Sequence, residues 1–457
     1  MKVESQLAEF VCTLRAADVS APAQRVLRHM LMAVCGTALA GAEEDGIAAL
    51  RTLLRERGGA PQATAFVFGD RLPAAAAARF NGTLCRALDY CDAMAPGPHI
   101  GSSLLPAALA AAELTGGCSG ADFMAALAAG AELSSRLNLS ESQYDGFDPT
   151  GVLVVFAATA AAARVLKLNT AQTLNALALA FNRCGGSFQS NVDGTLAVRM
   201  VQGWVAETGV DCAQLAQRGV TGPPNFIGGH YGYAHLYGRG RLDIDAVQRD
   251  LGSEWRLQRV VFKKFPSCGV TQGVTELALG LVHDEGLVPE QVQRALVRLP
   301  PYAHKLVGHA FRIGNNPRVD AQFNAGYCVA NAIQRRASKL AHFAPAQVHD
   351  AAVAALIERI DVVADEAMNA RGHTAVDLEV TTTGGRVLKR ALDIAPGFPG
   401  AELTDAQHRA RFEDCLAYAP HALPAAQMQR LIDAIEHVDV LDDARALAGL
   451  LVAPRLD

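Results

Sequence analysis

The sequence predicts a mainly α protein: a large all-helical domain built from both chain ends, with a smaller α+β lid domain inserted between them. Three observations carry this. From the N-terminus to about Trp255, apolar residues recur at helical spacing in alanine-rich segments. Beyond Trp255, short segments alternate with a period of two, and helical patterns lie between them. From Thr404 onward the helical spacing returns, so the last helices are expected to pack back onto the first. The predicted boundaries are 1–258 completed by 396–457 for the helical domain, and 259–395 for the lid. A chain of 457 residues is too long for one ordinary core, which suits this division.

In the first part, Ala23 to Ala40 is one predicted helix with Val26, Leu27, Met30, Leu31 and Val34 on its apolar stripe. Pro22 stands at its start and Gly41 where a C-terminal cap belongs. Pro73 opens an alanine-rich helix at a position where a missing N–H costs little. A helix over Pro106 to Leu114 is stopped by Gly116 and Gly117, and Ser119 caps the next, Ala121 to Leu137. Asn169 and Gln172 form a capping-box-like start to Ala171 to Phe181. Alanine runs such as Ala157 to Ala163 let helix axes approach closely and predict a dense, layered core. In the lid, Leu296 to Leu299 reads as a strand ended by Pro300 and Pro301. Val376, Leu378 and Val380 alternate with Asp377, Glu379 and Thr381, and Gly384-Gly385 turns that strand into Arg386 to Arg390. Helical patterns cover Gln322 to Arg335 and Pro345 to Glu358.

Composition excludes several functions. Half of the residues are apolar and 19% charged, a globular balance. A net charge of −5 without a basic block argues against a nucleic-acid partner. The longest apolar run, Val152 to Ala163, is too short to span a bilayer, and the start, with Glu4 and Glu9, does not read as a signal peptide. A cytoplasmic protein without a membrane partner is therefore expected. Ten cysteines without a C-x-x-C pair suggest neither a zinc ribbon nor a redox dithiol. His304 and His309, five residues apart, do not share a helix face, and no metal site is expected. The glycine-rich loops Cys184 to Leu196 and Val220 to Gly232 lack the strand–turn–helix setting of nucleotide folds, so no cofactor is expected either.

The segment Asn81 to Pro106 carries the most chemistry. Asp89 and Asp92 lie at i and i+3, which a helical turn would place on one face. Ala95-Pro96-Gly97-Pro98 then breaks the helix and delivers His99 on a loop. Acids and an imidazole on such a turn suit proton transfer, although, from this stretch alone, a polar helix end with a surface loop accounts for them more simply. The loop Ser140 to Gly151 carries Tyr144, Asp145 and Asp148, and Arg199 and Gln202 follow the loop Cys184 to Leu196. Lys263, in Lys263-Lys264-Phe265, is either a desolvated base or one of a solvated pair. Tyr327, on the apolar helix Phe323 to Ile333, suits a core position as well as a site.

Taken in order, NGTLCRALDYCD, PHIGSSLLPAALAAAELTGG, GFDPTG, RGVTGPPNFIGGHYGY, FKKFPSCGVTQ, QFNAGYCVANAI and TTTGGRV with APGFPGAELT resemble the MmgE/PrpD family nearly end to end. That family includes 2-methylcitrate dehydratase, cis-aconitate decarboxylase and iminodisuccinate epimerase. The resemblance implies a homodimer and a cofactor-free active site between a helical domain and a lid. It also implies site roles for Asp89, Asp92, His99 and Lys263, with Tyr327 as a neighbour. The chain departs from the family pattern where that pattern has histidine: here Arg86, Asp148, Gln202 and Gln272 stand instead, and Arg199 replaces a lysine. Cys91 and Ala93 depart as well.

The expected activity is a lyase or isomerase acting on a small di- or tricarboxylate by removing a proton next to a carboxylate. His99, Asp89, Lys263 and Asp148 would be catalytic, and Asp92, Arg199, Gln202, Tyr327 and Gln272 would bind substrate. His99 would be the leading base or acid, and Asp148 would stand in for a lost histidine. Arg199, which cannot act as a base, would grip a carboxylate together with Lys263. The alternative is a non-catalytic relative that binds a carboxylate metabolite.

Overall fold

A computed structural model describes residues 2–95, 97–140 and 143–454. The chain divides into two compact units, one comprising 1–260 with 419–457 and the other 261–418.

The first unit is layered helices. Its helices include Ala21–Ala40, Ala74–Arg86, Gly101–Leu114, Gly120–Leu137, Pro149–Val165, Thr170–Phe181 and Ala197–Gln217. Their starts follow local chemistry. Ser20 Oγ accepts the N–H of Ala23, Ser119 Oγ that of Asp122, and Asn169 with Gln172 closes a reciprocal capping box. Helix Pro149–Val165 is central, buried on nearly every face, with Ala157 and Ala158 fully enclosed. Gly130 and Gly209 approach it so closely that a Cβ on either would lie 2.5 Å from the Ala157 carbonyl oxygen or 2.7 Å from Ala158. The alanine-rich faces thus serve the close approach their composition predicts. Among the described residues, no helix is long and apolar enough to cross a membrane.

Helix Gly101–Leu114 starts five residues earlier than the sequence suggests and carries Pro106 inside it. The cause is remote: the Asp92 carboxylate accepts the N–H groups of Ile100 and Gly101 at 3.0–3.1 Å. A cap borrowed from another segment leaves no local signal.

The second unit carries a four-stranded sheet in the order Ile360–Ala364, Val292–Leu299, Val376–Thr382, Val387–Leu392. The first pair is parallel and the other two are antiparallel. Val376, Leu378 and Val380 are buried, and the Gly384-Gly385 turn, with Gly385 at φ +80°, closes the hairpin as the alternation predicts. Helices Gln272–Asp284 and Ala325–Arg335 contribute to the same apolar core as the sheet. Asn324 caps the second of these by accepting the N–H of Tyr327 at 2.8 Å.

The expected grouping of 396–457 with the first unit needs correction. Helix Asp405–Tyr418 belongs to the second unit. There His408 meets the Phe262 ring edge-on at 4.7 Å, Asp414 accepts the N–H of Leu340 at 2.9 Å, and Arg318 reaches the Tyr418 hydroxyl. Only the segment after Tyr418 joins the first unit, through Arg28 with Asp439 at 2.7 Å and backbone bonds from Gly120 to Leu441 and from Ala444 to Cys118.

Candidate active site

Helix Ala74–Arg86 ends at Arg86, and Asp89 takes a left-handed backbone, φ +52°. Asp89 and Asp92 therefore do not share a helical face, contrary to their spacing. Aspartate tolerates this conformation better than most side chains, yet it is an outlier of the kind concentrated at functional sites. Its carboxylate receives a very short bond from Arg86 Nη1. Before the next helix, Met94 N–H donates to the Pro98 carbonyl, and Gly97 has φ +81°. A Cβ on Gly97 would lie 2.7 Å from the Pro149 ring, so this glycine lets the loop meet the start of helix Pro149–Val165. Pro96 of this turn, and Glu141 and Ser142 of the loop preceding Asp148, lie outside the described residues.

His99 is held on both ring nitrogens. Nδ1 lies 2.7 Å from the Asp92 carbonyl oxygen, and Arg86 Nη2 lies 3.2 Å from Nε2. A carbonyl only accepts and a guanidinium only donates, so Nδ1 carries the hydrogen and Nε2 offers its lone pair. The His99 N–H and Gln202 Nε2 both donate to Thr150 Oγ1, at 3.2 and 3.3 Å. Gln202 Nε2 also lies 3.2 Å from the His99 carbonyl oxygen, and Ser103 Oγ binds the Gln202 side chain and carbonyl.

Asp148 is the N-cap of helix Pro149–Val165, accepting the N–H groups of Thr150 at 2.8 Å and Gly151 at 3.3 Å. Burial is the strongest influence on it and holds its carboxyl above the ordinary carboxylate range, against those N–H groups, the Arg86 charge and the Thr150 hydroxyl. Burial also opposes the charge of Arg86, but the carboxylate of Asp89, with Cys91 and Asp148 beyond it, outweighs that and secures the guanidinium. Arg86, His99, Asp148, Thr150 and Gln202 line one small recess, partly open to solvent and walled by Phe188, Asn191 and Val198. The Cys91 thiol, 3.5 Å from His99 Nδ1, is buried and pushed up by that burial, so it is no ready nucleophile.

The other expected residues lie elsewhere. Asp92 is fully buried beneath His99, bound to helix N–H groups, and positions the ring instead of meeting a substrate. Arg199 does not line the recess. It pairs with Glu44 at 3.7 Å and donates to the Asp45 carbonyl at 3.1 Å, while Val198 and Gln202, one helical turn apart, share the face that does. Lys263, Gln272 and Tyr327 belong to the second unit. Gln272 is fully buried, with its amide spent on the backbone of Phe265, Ser267 and Cys268. The Tyr327 hydroxyl donates to the His342 carbonyl at 2.7 Å in a closed core. Gln272 and Tyr327 keep their polar groups on backbone partners of the second unit, and the lining of the recess in the first unit includes none of Asp92, Arg199, Gln272 and Tyr327. Lys263 is 4% exposed next to Lys264, which pairs with Glu276 at 2.7 Å, so the two lysines are not one solvated pair.

Asp148→Asn keeps the cap and removes the buried charge. A carboxyl raised by folding loses its proton first in the unfolded chain, so stability falls as pH rises from the unfolded value, near 3.9, through the folded one. The thermal midpoint of Asp148→Asn relative to wild type is thus expected to be more favourable at pH 7 than at pH 4. An identical difference at both values would contradict the burial argument.

The recess thus brings together a guanidinium, an imidazole and a carboxyl that burial holds above the ordinary carboxylate range. Residues 5–244 match the MmgE/PrpD N-terminal domain and residues 265–438 the MmgE/PrpD C-terminal domain. Human cis-aconitate decarboxylase is 23% identical over 84% of this chain and 80% of its own length, and the mouse cis-aconitate decarboxylase is equally similar. The cis-aconitate decarboxylase-like protein oryM of Aspergillus oryzae is 24% identical over 98% of this chain and 97% of its own. With both halves matched in order over most of its length, the chain belongs to the MmgE/PrpD family.

Proposed function

We propose that this protein is a cofactor-independent lyase or isomerase that removes a proton from the carbon next to a carboxylate of a small di- or tricarboxylate. The observation that carries the reading is the convergence of Arg86, His99 and Asp148 on one recess. Arg86 takes the part first given to Arg199: its charge offsets the substrate carboxylate and the enediolate-like intermediate formed from it. His99 Nε2 accepts the proton, with the ring oriented by Asp92. Asp148, which keeps its own proton to higher pH than an ordinary carboxyl, returns one to the intermediate or assists departure of a leaving group. Return on the opposite face gives epimerisation; loss of a β-hydroxyl gives dehydration; loss of carbon dioxide in place of the proton leaves a comparable carbanion, whose protonation completes a decarboxylation. The relatives' names support the last as the first to try. A role for Lys263 rests on the family pattern alone.

The competing reading, a binder without catalysis, is favoured by the four positions, Arg86, Asp148, Gln202 and Gln272, where the family pattern has histidine. One experiment separates the two. Incubation with cis-aconitate, citrate, malate and iminodisuccinate in D₂O is expected to place deuterium on the carbon next to a carboxylate in at least one of them or its product. No incorporation from any of the four, with binding detected by calorimetry, would leave the binding-only reading in possession.

A further inference from the structure

Arg86 stands where it can do two things at once. Nη1 is fixed to Asp89, whose left-handed backbone aims its carboxylate back at the helix end, and Nη2 donates to His99 Nε2 at 3.2 Å. The guanidinium is 7% exposed and lines the recess, as does the histidine. In this arrangement the lone pair that a base needs is already taken. The bond that takes it is the weaker of the two, because its acceptor is a neutral imidazole at the long end of the hydrogen-bond range, whereas a carboxylate makes a charge-assisted bond about twice as strong. A carboxylate entering the recess would therefore win Nη2 from His99, with Asp89 holding the other arm as a pivot.

We propose that Arg86 is both the carboxylate clamp of this recess and the cap that covers His99 Nε2 until a carboxylate draws it away. The inference rests on the carboxylate reading above and adds a control to it: the base is uncovered by the substrate class it serves. It also gives the Arg86 departure from the family's histidine a physical purpose. Asp92 fixes Nδ1, so only Nε2 is exchanged between cap and substrate.

The test pairs a binding measurement with a chemical one. Arg86→Gln lacks the charge and is too short to bridge Asp89 and His99. Arg86→Lys keeps the charge but, as a point donor, cannot fork between two partners. Malonate affinity by calorimetry is expected to fall about tenfold or more in Arg86→Gln, the worth of one charge-assisted bond, and to fall less in Arg86→Lys. Acylation of His99 by diethyl pyrocarbonate, mapped by mass spectrometry without ligand, is expected to run several-fold faster in both variants than in wild type. Malonate binding that survives Arg86→Gln sinks the clamp alone. Equal His99 labelling in wild type and Arg86→Lys, whose retained charge guards the fold, sinks the cap. Wild-type protein that binds none of malonate, citrate and cis-aconitate overturns the carboxylate reading and the clamp with it.

Discussion

Replacing Glu132 by alanine is expected to destabilise the first unit by about 3–5 kcal/mol, the cost of stranding one partner of a buried ion pair. Glu132 and Arg136 are both inaccessible to solvent and lie one turn apart on helix Gly120–Leu137. Arg136 Nε donates to Glu132 at 2.6 Å, and its other donors reach the carbonyls of Val247, Arg249, Asp250 and Glu254. Glu132 in turn accepts the N–H groups of Arg256 and Leu257, both at 3.0 Å. The pair thus pins residues 247–257, the stretch between helix Ile244–Gln248 and the single turn Arg256–Arg259. Alanine would leave a buried guanidinium without its countercharge and the N–H groups of Arg256 and Leu257 without their acceptor. The measurements are the thermal midpoint of the full chain and the rate of proteolytic cleavage near residues 247–257. A midpoint unchanged within error, with no new cleavage there, would show that the pair does not hold this stretch. A paired Glu132→Leu, Arg136→Met replacement is expected to recover part of the loss, since it removes both charges together.

How much of this was legible in the sequence depends on whether the deciding contact was local. Ser119, Asn169 and the Gly384-Gly385 turn act within a few residues of themselves, and each is found where its chemistry predicts. Strand Ile360–Ala364 was missed because it is a half-exposed edge strand with no clean alternation of burial. The start of helix Gly101–Leu114 was missed because Asp92 caps it from a distance. The helical turn expected across Asp89 and Asp92 does not form, because helix Ala74–Arg86 ends before it and Asp89 takes a left-handed backbone. The site divides the same way. His99 and Asp148 were legible as polar residues on loops between apolar helices. Arg86 was seen only as a departure from a pattern, although its spacing of three from Asp89 was a usable signal. Arg199 drew attention by its charge, but helix geometry puts Val198 and Gln202 on the recess and turns residue 199 toward Glu44.

His99→Ala is expected to lower kcat/KM for a turned-over carboxylate by about 10²-fold or more, the usual contribution of a general acid–base group. The variant alone would confound two losses, because the ring also donates to the Asp92 carbonyl and so helps to hold the turn before helix Gly101–Leu114. His99→Asn separates them. Its amide can occupy the Nδ1 position and keep that bond, while nothing replaces Nε2. If proton transfer through Nε2 is the role, Asn should be as inactive as Ala, with a thermal midpoint close to wild type. If positioning is the role, Asn should recover most of the activity that Ala loses. A kcat/KM within about threefold of wild type in His99→Ala would end the assignment outright, since no acid–base role is worth so little. The same pair of variants bears on Asp148. With His99→Asn inactive and folded, deuterium exchange at the substrate carbon should also vanish if the imidazole is the base that takes the proton. Exchange that persists would move the base from the imidazole to the carboxylate.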